Sequence, residues 1–231
     1  MGKKIRFFAV LTVLIVGTFA ATSMMFFPHA NATYVEGDIN QNTVWTLTDS
    51  PFIVINDVFI KPGYTLTIEP GVEVRFGGGF SMKVEGVLNA IGTQEDMIKF
   101  TSNKDLPQLG DWATVEFVNK LQASTLAYCV VQYATDGVTI ENGNVQINNC
   151  EVNYNKQSGL YLTGSNIGTI EDSAIQLNKY GILLVGDTSG ITIRNNRISA
   201  NIDYGINLQS PVTKYISSIT IFNNTLASNS R

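Results

Sequence analysis

Three stretches decide how this chain folds: INNCEVNYNKQSGLYL (Ile147–Leu162), IEDSAIQLNKYGILL (Ile170–Leu184) and IRNNRISANIDYGINL (Ile193–Leu208). A shorter fourth copy, IFNNTLASN, runs from Ile221 to Asn229. Each sets an asparagine, then a glycine, then apolar residues at alternate positions. Asn155, Asn178 and Asn201 fall 23 residues apart, and Asn229 follows after 28, the longer gap holding Ser210–Lys214. Gly137, Gly159, Gly181 and Gly205 recur at intervals of 22, 22 and 24. A unit repeated at this period cannot bury its apolar face alone and must stack on its neighbours.

The period is too short for paired helices. Val138/Ile140, Leu160/Leu162, Ile182/Leu184 and Ile206/Leu208 alternate, as half-buried strands do. Each period holds three short runs of this kind, separated by Asn, Asp, Gly and Ser turns, with no room for a crossover helix. The spacing predicts that each strand pairs in parallel with its equivalent one period later, about 4.8 Å away. The expected fold is therefore all-β, a single-stranded parallel β-helix (solenoid) of about seven coils. Val138, Leu160, Ile182 and Ile206 would form one interior column, each buried side chain contributing roughly 1.5–3 kcal/mol. Asn155, Asn178, Asn201 and Asn229 are expected to form a structural ladder where the chain bends, since Asn tolerates left-handed backbone. Asn149, Asp172, Asn195 and Asn223 read as a second turn column.

Residues 1–32 are set apart as a signal peptide or an uncleaved membrane anchor. Lys3, Lys4 and Arg6 precede an apolar run from Phe7, and Ala30-Asn31-Ala32 is a small-x-small cleavage site. Either reading places the rest of the chain outside the cytoplasm, secreted or at the cell surface. Of the 15 Lys+Arg three lie in this segment, leaving 12 against 19 Asp+Glu and a net charge of −7. That balance argues against nucleic acid and anionic membrane as partners. The single histidine, His29, lies there too, so the exported part has no imidazole for a Ser-His-Asp triad or a His-ligated metal. Residues 33–63 are read as an N-terminal cap and first strands, with Thr43–Ile60 covering the open end of the core. Residues 64–231 are read as the β-helix. It stops before the fourth copy's Gly-Ile-x-Leu strand, and the expectation is a truncated chain or a partner over its end.

The run LTIEPGVEVRFGGGFSMKVEGVLNAIGTQEDMIKFTSN, then GDW, then the N-x-I-x-x-N-x-x-x-G-I copies, resembles the secreted right-handed β-helix proteins of the pectin-lyase-like superfamily. The resemblance covers about Val44 to Asn229 and implies the right hand of the coil. It implies little about activity, since the superfamily holds lyases, hydrolases, adhesins and surface proteins. Its hydrolases group aspartates and use Gly-His-Gly signatures, and its lyases use acidic calcium ligands with an Arg or Lys base. Neither pattern is present, so no catalytic residue and no metal or cofactor is assigned. Calcium enters only with the alternative reading, a polysaccharide lyase or glycoside hydrolase whose catalytic coils are divergent or lie beyond Arg231.

The leading expectation is an exported binding or structural module that contacts polysaccharide or another cell-envelope component. Aligning the residues before each repeat glycine stacks Gln157, Lys179 and Asp203 in one column and Tyr180 and Tyr204 in another. Such a strip could stack sugar rings on tyrosine and hydrogen-bond their hydroxyls. It could equally be a surface ion pair with two tyrosines covering a turn. Cys129 and Cys150 fall one coil apart and are expected as stacked neighbours, either a disulfide or two buried thiols. Glu171-Asp172 reads as a turn more than as an acid/base pair, Gly77–Gly79 as a bend rather than a phosphate loop, and Asn223-Asn224-Thr225 as a glycan sequon.

Overall fold

A computed structural model describes residues 32–210 and 216–230. The segment read as a signal peptide or anchor, apart from Ala32, and most of the Ser210–Lys214 insertion lie outside these residues. The described chain winds into a parallel β-solenoid of about eight turns, one more than the repeat spacing suggested. Among the described residues the helical element is a single 3-10 turn, Leu47–Asp49.

Three sheets run the length of the coil, and every strand pairing is parallel. Sheet one stacks Thr43–Trp45, Thr65–Ile68, Val87–Ile91, Ser124–Ala127 and Asn144–Asn148. It continues through the later halves of Ser158–Glu171 and Tyr180–Arg194 to Thr220–Phe222. Sheet two stacks the first part of Thr33–Ile39 and of Phe52–Ile60, then Glu73–Phe76, Ile98–Ser102 and Cys129–Gln132. Glu151–Asn153, Ala174–Gln176, Arg197–Ser199 and Thr225–Ala227 complete it. Sheet three runs from the second parts of Thr33–Ile39 and Phe52–Ile60 through Met82–Val84, Val115–Phe117, Val138–Glu141 and the first parts of Ser158–Glu171 and Tyr180–Arg194 to Tyr204–Gln209. Thr43–Ile60 thus lies within the stack rather than across its end, because its own alternation matches that of the coils that follow it.

The interior columns have the expected register. Val138 pairs with Leu160, Leu160 with Ile182 and Ile182 with Ile206. The first three are 0% exposed. Toward the front the core widens to aromatic pairs: Trp45 on Phe52, ring centroids 4.6 Å apart, and Phe76 on Trp112 at 4.0 Å. Trp112 of the Asp111-Trp112 turn points inward, its indole N–H donating to the Gln132 carbonyl at 2.9 Å.

The asparagine ladder is structural but differs from expectation in its backbone. Asn155, Asn178 and Asn201 point into the core, each at most 1% exposed. The left-handed conformation falls on the residue before each: Tyr154, Leu177, Ala200 and Ser228, with φ of 54°, 59°, 55° and 54°. That preceding residue turns the corner, so the asparagine side chain faces inward. There each amide oxygen accepts from the backbone N–H of the ladder residue one coil earlier: Asn155 from Ala134, Asn178 from Asn155 and Asn201 from Asn178. The amide nitrogens donate to Val131, Val152 and Ile175 carbonyls and to the next asparagine.

The repeat glycines make room for this ladder. A Cβ at Gly137, Gly159 or Gly181 would lie 2.9 Å from the amide nitrogen of Asn155, Asn178 or Asn201, and within 2.8 Å of the next glycine's carbonyl oxygen. Asparagine and glycine recur together because one coil's amide occupies the space above the previous coil's missing side chain. The second turn column, Asn149, Asp172, Asn195 and Asn223, is left-handed as expected, with φ from 50° to 57°. Its inward neighbours form a second ladder: Cys150 N–H to Ser173 Oγ, Ser173 N–H to Asn196 Oδ1, and Asn196 N–H to Asn224 Oδ1.

Candidate functional site

The turn between sheets two and three brings the strip residues together. Tyr180 is in register with Ser158 and with Tyr204. The backbone ties the column: Gln157 N–H donates to Thr135 O, Tyr180 N–H to Gln157 O and Asp203 N–H to Lys179 O, each at 2.8–2.9 Å. Gln157, Lys179, Tyr180, Asp203 and Tyr204 are all half-buried. The two tyrosine rings stack with centroids 6.2 Å apart and planes 25° apart. Full face-to-face contact would put them about 3.5–4 Å apart, so the rings are offset rather than superposed. Lys179 Nζ sits 5.1 Å from the Tyr180 ring centre, a cation–π contact. Among the ion pairs of the described residues there is none between Lys179 and Asp203.

One coil before Ser158, and two before Tyr180, the same column position holds Asp136. Its carboxylate accepts from Ser158 N–H at 2.9 Å. Burial raises the Asp136 carboxyl above the ordinary aspartate range, against the opposing pull of the Ser158 hydrogen bonds. An open groove of about 330 Å³ lies on a different edge, between sheets one and two, lined by Gln94, Met97, Tyr128, Asn149, Glu151 and Asp172.

The remaining sequence candidates resolve into architecture. Glu171 pairs with Arg194 on sheet one, while Asp172 occupies the exposed left-handed corner, so the two acids do not converge. Gly77–Gly79 bends the chain between two strands. Asn223 of the sequon is exposed, its side-chain amide donating to Asn195 Oδ1 at 2.7 Å. Cys129 and Cys150 are stacked neighbours, since Val130 pairs with Glu151, but both are free thiols buried in the core. The disulfide option is corrected. Each Sγ is turned onto strand carbonyls, Cys129 onto Ala90 and Ala127, Cys150 onto Leu126 and Asn148. Burial, and then the neighbouring Cys150 thiol, push the Cys129 thiol well above its ordinary value, which disfavours its thiolate.

Sequence reasoning missed a second aromatic pair on the same edge. Tyr133 and Tyr154 stack with centroids 5.9 Å apart and planes 17° apart. Both hold left-handed corners, φ 65° and 54°. The available signal was the position before each ladder asparagine. It was hidden because Ala134 stands where the ladder residue of the earlier coil would be asparagine.

Comparison with known proteins agrees with this architecture. The family described as right handed beta helix region matches residues 116–231, half of the chain. The protein named bark beetle of Drosophila melanogaster is 32% identical over 79 residues, 33% of this chain. The chain spans about 2% of the length of that curated relative. No solved structure matches. With the repeat, the three parallel sheets and the matched half in agreement, the chain belongs to the right-handed β-helix family.

Proposed function

We propose that the chain beyond residue 32 is an exported, non-catalytic binding or structural module. It acts at the cell surface or outside the cell and contacts polysaccharide through the edge that carries Gln157, Lys179, Tyr180, Asp203 and Tyr204. The observation that carries this reading is the slid Tyr180–Tyr204 stack on a half-buried edge. It offers apolar ring surface beside an amide, an ammonium and a carboxylate, a combination suited to a pyranose with one apolar face and a rim of hydroxyls. The rigid backbone beneath supports it, because the buried ladder fixes these turns before any ligand arrives and lowers the ordering cost of binding. The net charge of −7 outside the leader favours a neutral or cationic partner over nucleic acid or an anionic membrane.

Affinity electrophoresis through gels containing neutral or uronate-rich polysaccharides tests the reading. Replacing Tyr180 and Tyr204 together by Ala should reduce retardation by about tenfold in apparent affinity, the equivalent of roughly 1.4 kcal/mol. Equal mobility of wild type and variant in every gel overturns the strip. Appearance of unsaturated or reducing ends on incubation with the same polymers, with or without calcium, overturns the non-catalytic part. Protease shaving of intact cells, followed by mass analysis of the N-terminus, tests the surface location and cleavage after Ala32.

A further inference from the structure

Of the 20 glycines in the chain, two follow an asparagine or an aspartate: Gly143 after Asn142 and Gly137 after Asp136. Glycine has no Cβ to shield its nitrogen, so such a step lets the backbone nitrogen approach the preceding side-chain carbonyl closely. Asn142 is the more reactive of the two. It is exposed while Asp136 is half-buried, and a neutral amide accepts a nucleophile where an ionised carboxylate repels one. Asn142 turns the corner between Val138–Glu141 of sheet three and Asn144–Asn148 of sheet one, with φ 52°.

Both reacting groups are tied to the next coil. Asn142 Oδ1 accepts from the Ser165 N–H at 3.0 Å, and the Gly143 N–H donates to Asn166 Oδ1 at 3.0 Å. Asn166 is 1% exposed, and its amide nitrogen donates to the Thr163 and Gly164 carbonyls, which fixes its oxygen toward Gly143. A Cβ at Gly164 would lie 2.5 Å from Asn142 Oδ1, so the glycine there admits the asparagine side chain.

We propose that Asn142 is a self-modifying deamidation site and that Asn166 gates it. Ring closure requires the Gly143 nitrogen to give its proton to water or hydroxide and to bond Asn142 Cγ. The Cγ–Nδ2 bond then breaks, ammonia leaves with a proton taken from water, and a cyclic imide remains. Water opens the imide at either carbonyl and leaves aspartate or isoaspartate at position 142. With Asn166 in place, the Gly143 N–H is held on a buried acceptor, so the step waits for the coil to open, as exchange of a buried amide does. Each event adds one negative charge beside Glu141. Aspartate keeps the oxygen that accepts from Ser165. Isoaspartate inserts a backbone atom at the corner and displaces Asn144–Asn148 from its register with Ile167–Glu171.

The purified chain is incubated at mildly alkaline pH, folded and in urea. The peptide holding Asn142 is followed for the amide-to-acid mass gain and for methylation by an isoaspartyl methyltransferase. Deamidation at Asn142 is expected in both, slower in the folded chain by at least about tenfold, the cost of local opening. Asn166→Ala should raise the folded rate toward the unfolded one, with circular dichroism and melting temperature checking that the variant folds. Hydrogen exchange of the Gly143 N–H in wild type needs no variant: low urea that speeds this exchange should speed deamidation by the same factor. Equal rates in folded and unfolded wild type, or a folded Asn166→Ala that reacts no faster than wild type, overturn the gate. So does deamidation that stays flat while Gly143 exchange rises. Absence of the acid at position 142 even in urea overturns the site itself.

Discussion

Asn178 shows what a single ladder position supports. Its side chain is fully buried. Its oxygen accepts from the Asn155 backbone N–H at 2.9 Å and amide at 3.0 Å, and its nitrogen donates to Val152 O at 3.1 Å and Asn201 Oδ1 at 3.2 Å. Asn178→Ala strands a buried N–H, that of Asn155, and a buried carbonyl, that of Val152, in the preceding coil. A loss of about 3 kcal/mol is expected, on the scale of two unsatisfied buried groups, measured as a lower urea midpoint. The exposed corner position Asn195, φ 57°, gives the contrast. There Asn195→Gly should be near neutral, while Asn195→Val should cost about 1–2 kcal/mol, because a β-branched residue resists left-handed backbone. Equal costs for Asn178→Ala and Asn195→Gly would show that the inward asparagine is no more structural than the outward one. Both columns are legible in the sequence as recurring asparagines. Which one faces inward is not, because the spacing fixes the period but not the residue that turns the corner.

At the scale of elements, the coils after Gly137 can be read from sequence because their turns are nearly uniform: Val138 to Leu160 and Leu160 to Ile182 are both steps of 22 residues. The earlier coils lose the pattern where loops intervene, as between Ala90 and its sheet-one partner Leu126, 36 residues on. One of those loops, residues 103–111, is closed by Asp111. Burial alone would raise its carboxyl, but hydrogen bonds from the Gln108 backbone N–H, Lys104 and Ser102 outweigh that and hold it below the ordinary aspartate range. A lowered acid contributes stability above its unfolded value, near 3.9, and that contribution is lost as pH falls through the lower folded value. The loop should therefore stay closed at mildly acid pH, then open below about pH 4. Asp111→Asn should open it already at pH 7, read as faster protease cleavage near Leu106, which is 80% exposed. Cleavage of the variant at the wild-type rate would show that the carboxylate does not hold the loop.

At the scale of the whole molecule, burial along each interior column is uneven. Leu184, Ile193 and Ile198 are 0% exposed, while their partners one coil later, Leu208, Ile221 and Leu226, are 51%, 40% and 54% exposed. In a solenoid each coil is held only by its neighbours, so stability is close to a sum of local coil terms and interface terms. A coil with one neighbour has half the interface of a coil with two and opens at lower free energy. For the 231-residue chain taken by itself, hydrogen exchange should then be graded, fastest at Thr220–Phe222 and Thr225–Ala227 and slowest near Leu160 and Ile182. Side-chain truncation should follow the same gradient: Ile198→Ala costs about 2–5 kcal/mol as a buried large-to-small change, and Leu226→Ala less than about 1 kcal/mol because half its surface already meets water. Denaturant melts followed by far-ultraviolet dichroism would measure both. Uniform exchange protection across all coils, with equal costs for the two substitutions, would mean that the helix opens as one cooperative body, and the nearest-neighbour account of its stability would fail.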